Sequence, residues 1–303
     1  MSILIDKKTR VLIQGITGQE GLRSCQEMLN YGTKVVAGVR PGKGGAYVCG
    51  NIPVYDTVRE AIGKHSNINT SLITVPAANV LDAALEGIEA NIPLIVILTE
   101  HVPVKDSAQI YAAAKRKGVR VIGPSSVGIL SPGKGKVGSI GSAKIDSVFK
   151  TGYMGIISKS GGMTAEISRI LSNAGIGQST VIGIGGDQII CSDFADLLEL
   201  FERDAQTRAT ILFGEIGGTY EERVAEIVQQ NKIKKPIIAI IAGEFTKFLP
   251  QGTVLGHAGA IVNKGHGSYT SKISALKKAG VLIARTLEEI PLLLNKVWNG
   301  KQK

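Results

Sequence analysis

Apolar residues along this chain fall in short runs bounded by Gly, Pro or Asn, and the runs alternate with stretches of helical period. Arg10 to Gln14, Lys34 to Val39, Ser71 to Val75, Leu94 to Leu98 and Arg120 to Ile122 read as strands. Helices are expected from the loop at Gly15–Gly18 to about Asn30, from Asn79 to Ala90, and ahead of Lys115-Arg116-Lys117, whose cations suit a helix C-terminus. Strand, helix and strand in succession mean βαβ units and a parallel sheet. The pattern breaks between Ser131 and about Gly152, where SPGKGKVGSIGSAKIDSVFKTG is rich in Gly, Lys and Ser. That stretch reads as a loop-rich linker with room for one strand. The alternation then restarts, with strands at Met154–Ser158, Thr180–Ile184, Thr210–Phe213, Pro236–Ile241 and Val281–Ala284. Helices fill Met163–Asn173, Ser192–Arg203, Tyr220–Gln230 and Tyr269–Ala279, which makes a second doubly wound domain.

Composition sharpens this picture. Aromatics make up only 5% of the 303 residues while glycines number 38, which favours parallel sheets with tight βα turns over a sandwich or barrel. Lys and Arg total 35 against 25 Asp and Glu, a net charge of +10. The basic residues are scattered and no aromatic-interleaved basic stripe occurs, so a phosphorylated ligand and an acidic protein partner explain the charge better than nucleic acid. Cys25, Cys49 and Cys191 are widely spaced and form no metal-ligand pattern, which argues for a reducing compartment and against structural zinc. The start lacks an apolar signal region, and no apolar run is long enough for a membrane helix. The expected location is the cytoplasm, or an organelle matrix if a transit peptide has been removed.

Two glycine loops lie between a strand and a helix. Gly15-Ile16-Thr17-Gly18-Gln19-Glu20-Gly21 spaces its glycines G-x-x-G-x-x-G, not as the dinucleotide G-x-G-x-x-G. Such a loop lets backbone approach a phosphate at a helix N-terminus, although a plain tight turn would place glycines there too. The second strand ends in Gly38-Val39-Arg40, where an NAD enzyme would carry an acid for its ribose hydroxyls. Arg40 and Lys43 suit a ribose phosphate, which NADP and CoA both carry. Ser158-Lys159-Ser160-Gly161-Gly162 is the second loop, and no G-x-x-x-x-G-K-[ST] occurs anywhere, so a nucleotide would be held by another chain.

Of the four histidines, His257 stands among small residues in Gly256-His257-Ala258-Gly259-Ala260, which leaves its imidazole reachable. A satisfied histidine in a small-residue turn is the alternative. Glu215, in Gly214-Glu215-Ile216-Gly217-Gly218, ends a strand at the sheet edge where ligands gather. It could orient an imidazole and raise its basicity, or simply cap a helix.

At these motifs the chain resembles the alpha subunit of succinate–CoA ligase over nearly its whole length. SILIDKKTRVLIQGITGQEG, YGTKVVAGVRPGKGG, VPAANV, TEHVP, GQSTVIGIGGD, GEIGG and GHAGAI, in this order, carry the likeness. The resemblance implies a Rossmann-like CoA-binding domain over residues 1–130, the linker over 131–152, and a flavodoxin-like ligase domain over 153–303 bearing the phosphohistidine. It implies a beta subunit of ATP-grasp fold, in an αβ or α2β2 assembly, which binds the Mg-nucleotide. Phosphate passes in steps among nucleotide, histidine and a small carboxylic acid, and CoA forms the thioester. By matching motif, His257 would be phosphorylated and Glu215 would orient it. CoA would lie at Thr17, Gly18, Gln19, Glu20, Lys43, Val75, Pro76, Leu98, Thr99 and Glu100. Ser160, Gly161 and Gly162 would face the phosphohistidine.

Three places depart from the family wording. Ser158-Lys159-Ser160-Gly161-Gly162-Met163-Thr164-Ala165-Glu166 stands for S-R-S-G-T-L-T-Y-E, and the GGM wording is similar to ATP-citrate lyase. Gly123-Pro124-Ser125-Ser126-Val127-Gly128 replaces G-P-N-C-P-G, and Gln188 follows Gly185-Gly186-Asp187 where the family has Pro. Succinate is the expected acid, with citrate or malate as the alternative. A CoA-binding regulator without chemistry and an NADP oxidoreductase are readings of other classes. Neither needs a phosphoryl acceptor, so GHAGAI together with Glu215 argues against both.

Overall fold

A computed structural model describes residues 2–141, 145–248, 257–262 and 267–299. They fall into two compact units, Leu4–Ala143 with Gly183–Ser192, and Met1–Ile3 with Lys144–Ile182 and Asp193–Lys303. No helix among the described residues is long and apolar enough to cross a membrane.

The first unit runs β1 (Arg10–Gln14), α1 (Gln19–Asn30), β2 (Lys34–Val39), β3 (Tyr47–Val48), β4 (Ile52–Tyr55), α2 (Val58–Lys64), β5 (Thr70–Ile73), α3 (Val80–Glu89), β6 (Leu94–Ile97), α4 (Val104–Lys117) and β7 (Arg120–Ile122). The strands lie in the order β3-β4-β2-β1-β5-β6-β7. Apart from β3, which pairs antiparallel with β4, the neighbours are parallel, and the successive strands stand in Rossmann order. Leu94-Ile95-Val96-Ile97 is buried at every position because helices cover both faces, so the run shows no polar alternation. Val80, Ala84 and Ile88 of α3 and Ile110 and Ala113 of α4 pack on Ile95 and Ile97, and Val58 and Ala61 of α2 pack on Leu12 and Ala37. Thr57 caps α2 by accepting the Glu60 N–H at 3.1 Å, and α4 ends at Gly118 in a left-handed conformation.

The stretch expected as a linker is not one segment. Within the first unit β8 (Gly128–Ser131) and β9 (Gly135–Val137) form an antiparallel hairpin. Thr33 Oγ1 donates to the Lys136 carbonyl and accepts its N–H, both at 2.9 Å, and the buried Lys136 ammonium meets Glu27 of α1 at 2.6 Å. Burial pushes the Lys136 pKa down, and Glu27 opposes that shift. Composition marked this stretch as loop-rich, because the strands of the hairpin Gly128–Val137 are short and Gly-bearing and one of its buried residues is a lysine. Residues 183–192 also belong to this unit. Ser192 Oγ donates to the Val121 carbonyl at 2.7 Å, and Ser125 Oγ donates to Asp187 at 2.8 Å.

The second unit runs α5 (Ile145–Val148), β10 (Thr151–Ser158), α6 (Gly161–Asn173), β11 (Gln178–Gly183), α7 (Phe194–Arg203), β12 (Ala209–Glu215), α8 (Tyr220–Gln229), β13 (Ile237–Ala242), α9 (Tyr269–Lys278), β14 (Leu282–Ile283) and α10 (Glu289–Asn299). Its strands order β11-β10-β12-β13-β14, the flavodoxin-like arrangement. Every residue of β12 is buried, including Glu215 at its C-terminal end. α7 opens with a capping box between Asp193 and Asp196. α10 went unannounced by periodicity; Pro291 falls in its first turn, where a missing N–H costs no helical bond.

Candidate functional site

In the first unit, the strand order reverses between β1 and β5, and ligands of open α/β sheets bind at the carboxyl ends beside such a point. A cavity of about 1140 Å³ opens there. The loop leaving β1 turns at Gly15, φ +87°, and α1 starts after Gly18 with no side chain capping it. The first amides of α1 therefore point outward with no intrahelical acceptor. Gly21 lets the helix touch the loop: a Cβ there would stand 2.3 Å from the Gly15 carbonyl oxygen.

Gly18, Gln19, Glu20, Val75, Pro76, Leu98, Thr99 and Glu100 all line this cavity, as does Arg40. Thr99 Oγ1 donates to the Val75 carbonyl at 2.7 Å, which ties the two wall segments together. Thr17 and Lys43 are not on the wall; the Lys43 backbone instead donates to Asp56 Oδ1 at 3.1 Å in the loop after β2. Arg23, Asn79, Ser126 and Ser139 line it too and were not singled out from sequence. A Gly or Arg at a strand end carries a signal, whereas a serine far along the chain carries none. Glu20, the nearest carboxylate to the loop, is paired with Arg23 at 2.8 Å, which leaves Arg40 as the guanidinium available to an anion on this wall. Uncapped amides, a glycine cradle and an arginine fit a ligand that carries phosphates.

In the second unit, Glu215 and His257 meet. Glu215 Oε2 lies 2.6 Å from His257 Nδ1. The Glu215 side chain is 10% exposed and the His257 side chain 39%, so a buried carboxylate holds a half-open imidazole. A carboxylate in its ionised form only accepts, so Nδ1 is the donor of this contact. The turn bearing His257 closes with Ala260 N–H to the His257 carbonyl at 3.0 Å. It packs against Gly217, where a Cβ would come within 2.0 Å of the Gly259 oxygen. Ser158 of β10 stands opposite Phe213 of β12, so Ser160-Gly161-Gly162 at the start of α6 share the carboxyl edge with Glu215. α6 has no side-chain cap, and Gly162 has open space where a side chain would be. Ala165 is partly exposed in the first turns of α6. His266 lies outside the described residues.

Two family models match the chain, one described as a CoA binding domain over residues 6–101 and one as a CoA-ligase over residues 157–282. The chain is 45% identical over 297 residues to succinate–CoA ligase [ADP-forming] subunit alpha 2 of Archaeoglobus fulgidus, which spans 98% of this chain and 100% of that one. The chain belongs to the succinate–CoA ligase alpha-subunit family. The alpha subunit of Methanothermobacter thermautotrophicus is 46% identical over 281 residues, covering 93% of this chain and 92% of that one. Among solved structures, ATP citrate lyase from Methanothrix soehngenii, in complex with citrate and coenzyme A, superposes with a TM-score of 0.92 at 24% identity. It covers 99% of this chain, which spans 51% of that one, so the likeness is one of fold. ATP citrate lyase from Methanosaeta concilii, in complex with (3S)-citryl-CoA, gives 0.91 at 25% identity, again with this chain spanning 51% of its length.

Within the succinate–CoA ligase alpha-subunit family, then, both halves of the chain carry a preorganised edge. One is an amide cradle with an arginine, and the other a carboxylate–imidazole pair beside an uncapped helix.

Proposed function

We propose that this chain is the alpha subunit of a nucleotide-dependent acid–CoA ligase, which converts succinate, CoA and ATP (or GTP) to succinyl-CoA, ADP (or GDP) and phosphate. The observation that carries the reading is the 2.6 Å contact between His257 Nδ1 and the buried Glu215. Glu215 fixes the tautomer, so Nε2 is the nucleophile that takes the phosphoryl group near neutral pH. Ser160, Gly161 and Gly162 supply backbone amides and the positive end of the α6 dipole to its negative charge. A regulator that only bound CoA would have no use for this pair.

The first-unit cavity holds CoA, whose thiol supplies the acyl acceptor. Gly18, Gln19 and Glu20 offer amides to its diphosphate, and Val75, Pro76, Leu98, Thr99 and Glu100 form the walls. Arg40, which reaches the wall, takes the ribose phosphate; Lys43 stands further out and adds long-range attraction. Arg40→Ala should weaken CoA by about 1.5–3 kcal/mol, the range for a charge-assisted hydrogen bond. Dephospho-CoA should bind both proteins alike, as titration calorimetry can measure. Equal losses for CoA and dephospho-CoA would remove Arg40 from the ribose phosphate. A beta subunit of ATP-grasp fold binds the Mg-nucleotide, in an αβ or α2β2 complex, and the location is the cytoplasm.

Citrate or malate is the second reading for the acid, favoured by Ala165. The family tyrosine is a methyl group here, on the helix whose amides face the acid, and this opens about a ring's volume. Succinate, slim and linear, does not need that space. The test is kcat/KM for succinate, malate and citrate with the cognate beta subunit. Succinate is expected to lead; if it trails another acid by more than about tenfold, or 1.4 kcal/mol, the substrate is the other acid and Ala165→Tyr should move the preference back.

A further inference from the structure

Beneath the Glu215–His257 pair lies a buried charge cluster that no sequence motif announces. Glu221, in the first turn of α8, is 1% exposed, Lys159 4% and Lys272 0%. Glu221 Oε1 accepts the backbone N–H of Glu215 at 3.2 Å and lies 3.4 Å from Lys159 Nζ. Its Oε2 takes the Lys272 ammonium. Lys272 Nζ also donates to the Gly218 carbonyl at 3.1 Å and to Glu222 at 3.2 Å, which engages all three of its protons. Lys159 completes its surroundings with the Tyr220 ring, 5.3 Å from the ammonium to the centroid.

One carboxylate thus grips three pieces of the second unit. It holds the N–H of Glu215 directly. Through Lys272 it holds the carbonyl of Gly218, at the far end of the same turn. Through Lys159 it holds the residue that immediately precedes Ser160 and the amides of α6. Two ammonium groups face two carboxylates, so the cluster is neutral. Stability does not account for it, because buried ion pairs are often matched or bettered by apolar packing of the same volume. What an ionic cluster adds is fixed geometry. A small error in the placement of Glu215 passes straight to the imidazole that it holds at 2.6 Å, and errors of an ångström are costly in a phosphoryl transfer.

We infer that Glu221, bridged to Lys159 and Lys272, is the positioning group that sets Glu215 and the α6 N-terminus in register for chemistry at His257. The inference rests on the phosphohistidine reading above, and the experiment separates the two. Glu221→Gln strands two buried ammonium groups and can cost the fold, so Lys159 carries the test, as Lys159→Met and Lys159→Arg. The full chain, in complex with its beta subunit, is given γ-labelled ATP, and the rate of labelling at His257 is followed. Lys159→Met should slow labelling by about 30–100-fold while the KM for ATP and the Kd for CoA stay within about twofold, because no cluster residue lines the first-unit cavity and the proposed nucleotide site is on the beta subunit. In the ¹⁵N-histidine-labelled chain alone, the low-field proton of His257 Nδ1 should shift upfield or vanish in Lys159→Met. Lys159→Arg should restore both the resonance and, to within about threefold, the rate, since a guanidinium can reach the same carboxylate. A Lys159→Met chain with an unmoved resonance and wild-type labelling overturns the inference. So does a loss that Lys159→Arg fails to restore, or one matched by an equal loss of CoA binding, which would mark a general structural role. If the wild-type chain itself takes no label on His257, the phosphohistidine reading fails, and the resonance alone still decides whether Lys159 positions the ring.

Discussion

His257→Asn should abolish turnover, with kcat down by at least about 10⁴-fold, the scale of removing a covalent nucleophile. The argument is geometric. Glu215 holds the Nδ1 side of the ring at 2.6 Å, so the proposed acceptor is Nε2, and asparagine offers an amide nitrogen with no lone pair to replace it. The fold should not suffer, because the His257 side chain is 39% exposed and an asparagine can still donate to Glu215. The change in unfolding free energy should stay within about 0.5 kcal/mol. CoA affinity should also hold, since the cavity is built from residues of the first unit. The measurement is acid-labile, base-stable label from γ-labelled nucleotide on the complex with the beta subunit. Label that survives His257→Asn would place the phosphoryl acceptor elsewhere.

Gly21→Ala should raise the Kd for CoA at least about 100-fold, or 2.8 kcal/mol. Inside a helix this exchange ordinarily stabilises, by about 1 kcal/mol, so the sign is decided by contact. At Gly21 the new Cβ would lie 2.3 Å from the Gly15 oxygen and 2.8 Å from the Ile16 Cα, and both are backbone. Neither neighbour can swing aside, so the loop between β1 and α1 must move away from the helix. Unfolding free energy should fall by about 1–3 kcal/mol, as overpacking does elsewhere. The loop that moves is the one proposed to present its amides to the diphosphate, so binding falls with it. Gly63→Ala in α2, where nothing stands within 4 Å of the added carbon, is the control. Calorimetric titration and thermal unfolding of the two variants side by side give the answer, and unaltered CoA binding by Gly21→Ala would remove the β1–α1 loop from the site.

Much of this architecture was legible because parallel strands buried on both faces write themselves as apolar runs. Arg10–Gln14, Lys34–Val39 and Arg120–Ile122 were bounded as the structure has them. Two of the strands that escaped notice lack such a core. Tyr47–Val48 is largely exposed, and Ile52–Tyr55 buries little beyond Val54. The hairpin at Gly128–Val137 is held by Lys136, a residue that reads as surface until its partner Glu27 is found 109 positions away. The site divides in the same way. Gly15, Gly18 and Arg40 lie in loops that follow strands, Glu215 closes β12 and His257 stands in a turn of small residues, so each sits in a local pattern that marks it as a candidate. Lys159 stands in a loop and Glu221 and Lys272 in two helices, and only tertiary structure shows that both lysines meet the Glu221 carboxylate.

The first unit is discontinuous along the chain: residues 183–192 belong to it, yet the segment Lys144–Ile182 of the second unit comes between. On the ribosome this sets an order of events. The nascent Rossmann-like unit stays incomplete, with Asp187 and Ser192 still to come for their bonds to Ser125 and Val121, until the first strands of the following unit have been made. Domains usually fold as units in the order of their synthesis. Here the earlier one waits for residue 192 to be made, and neither unit can be cut out as one uninterrupted piece.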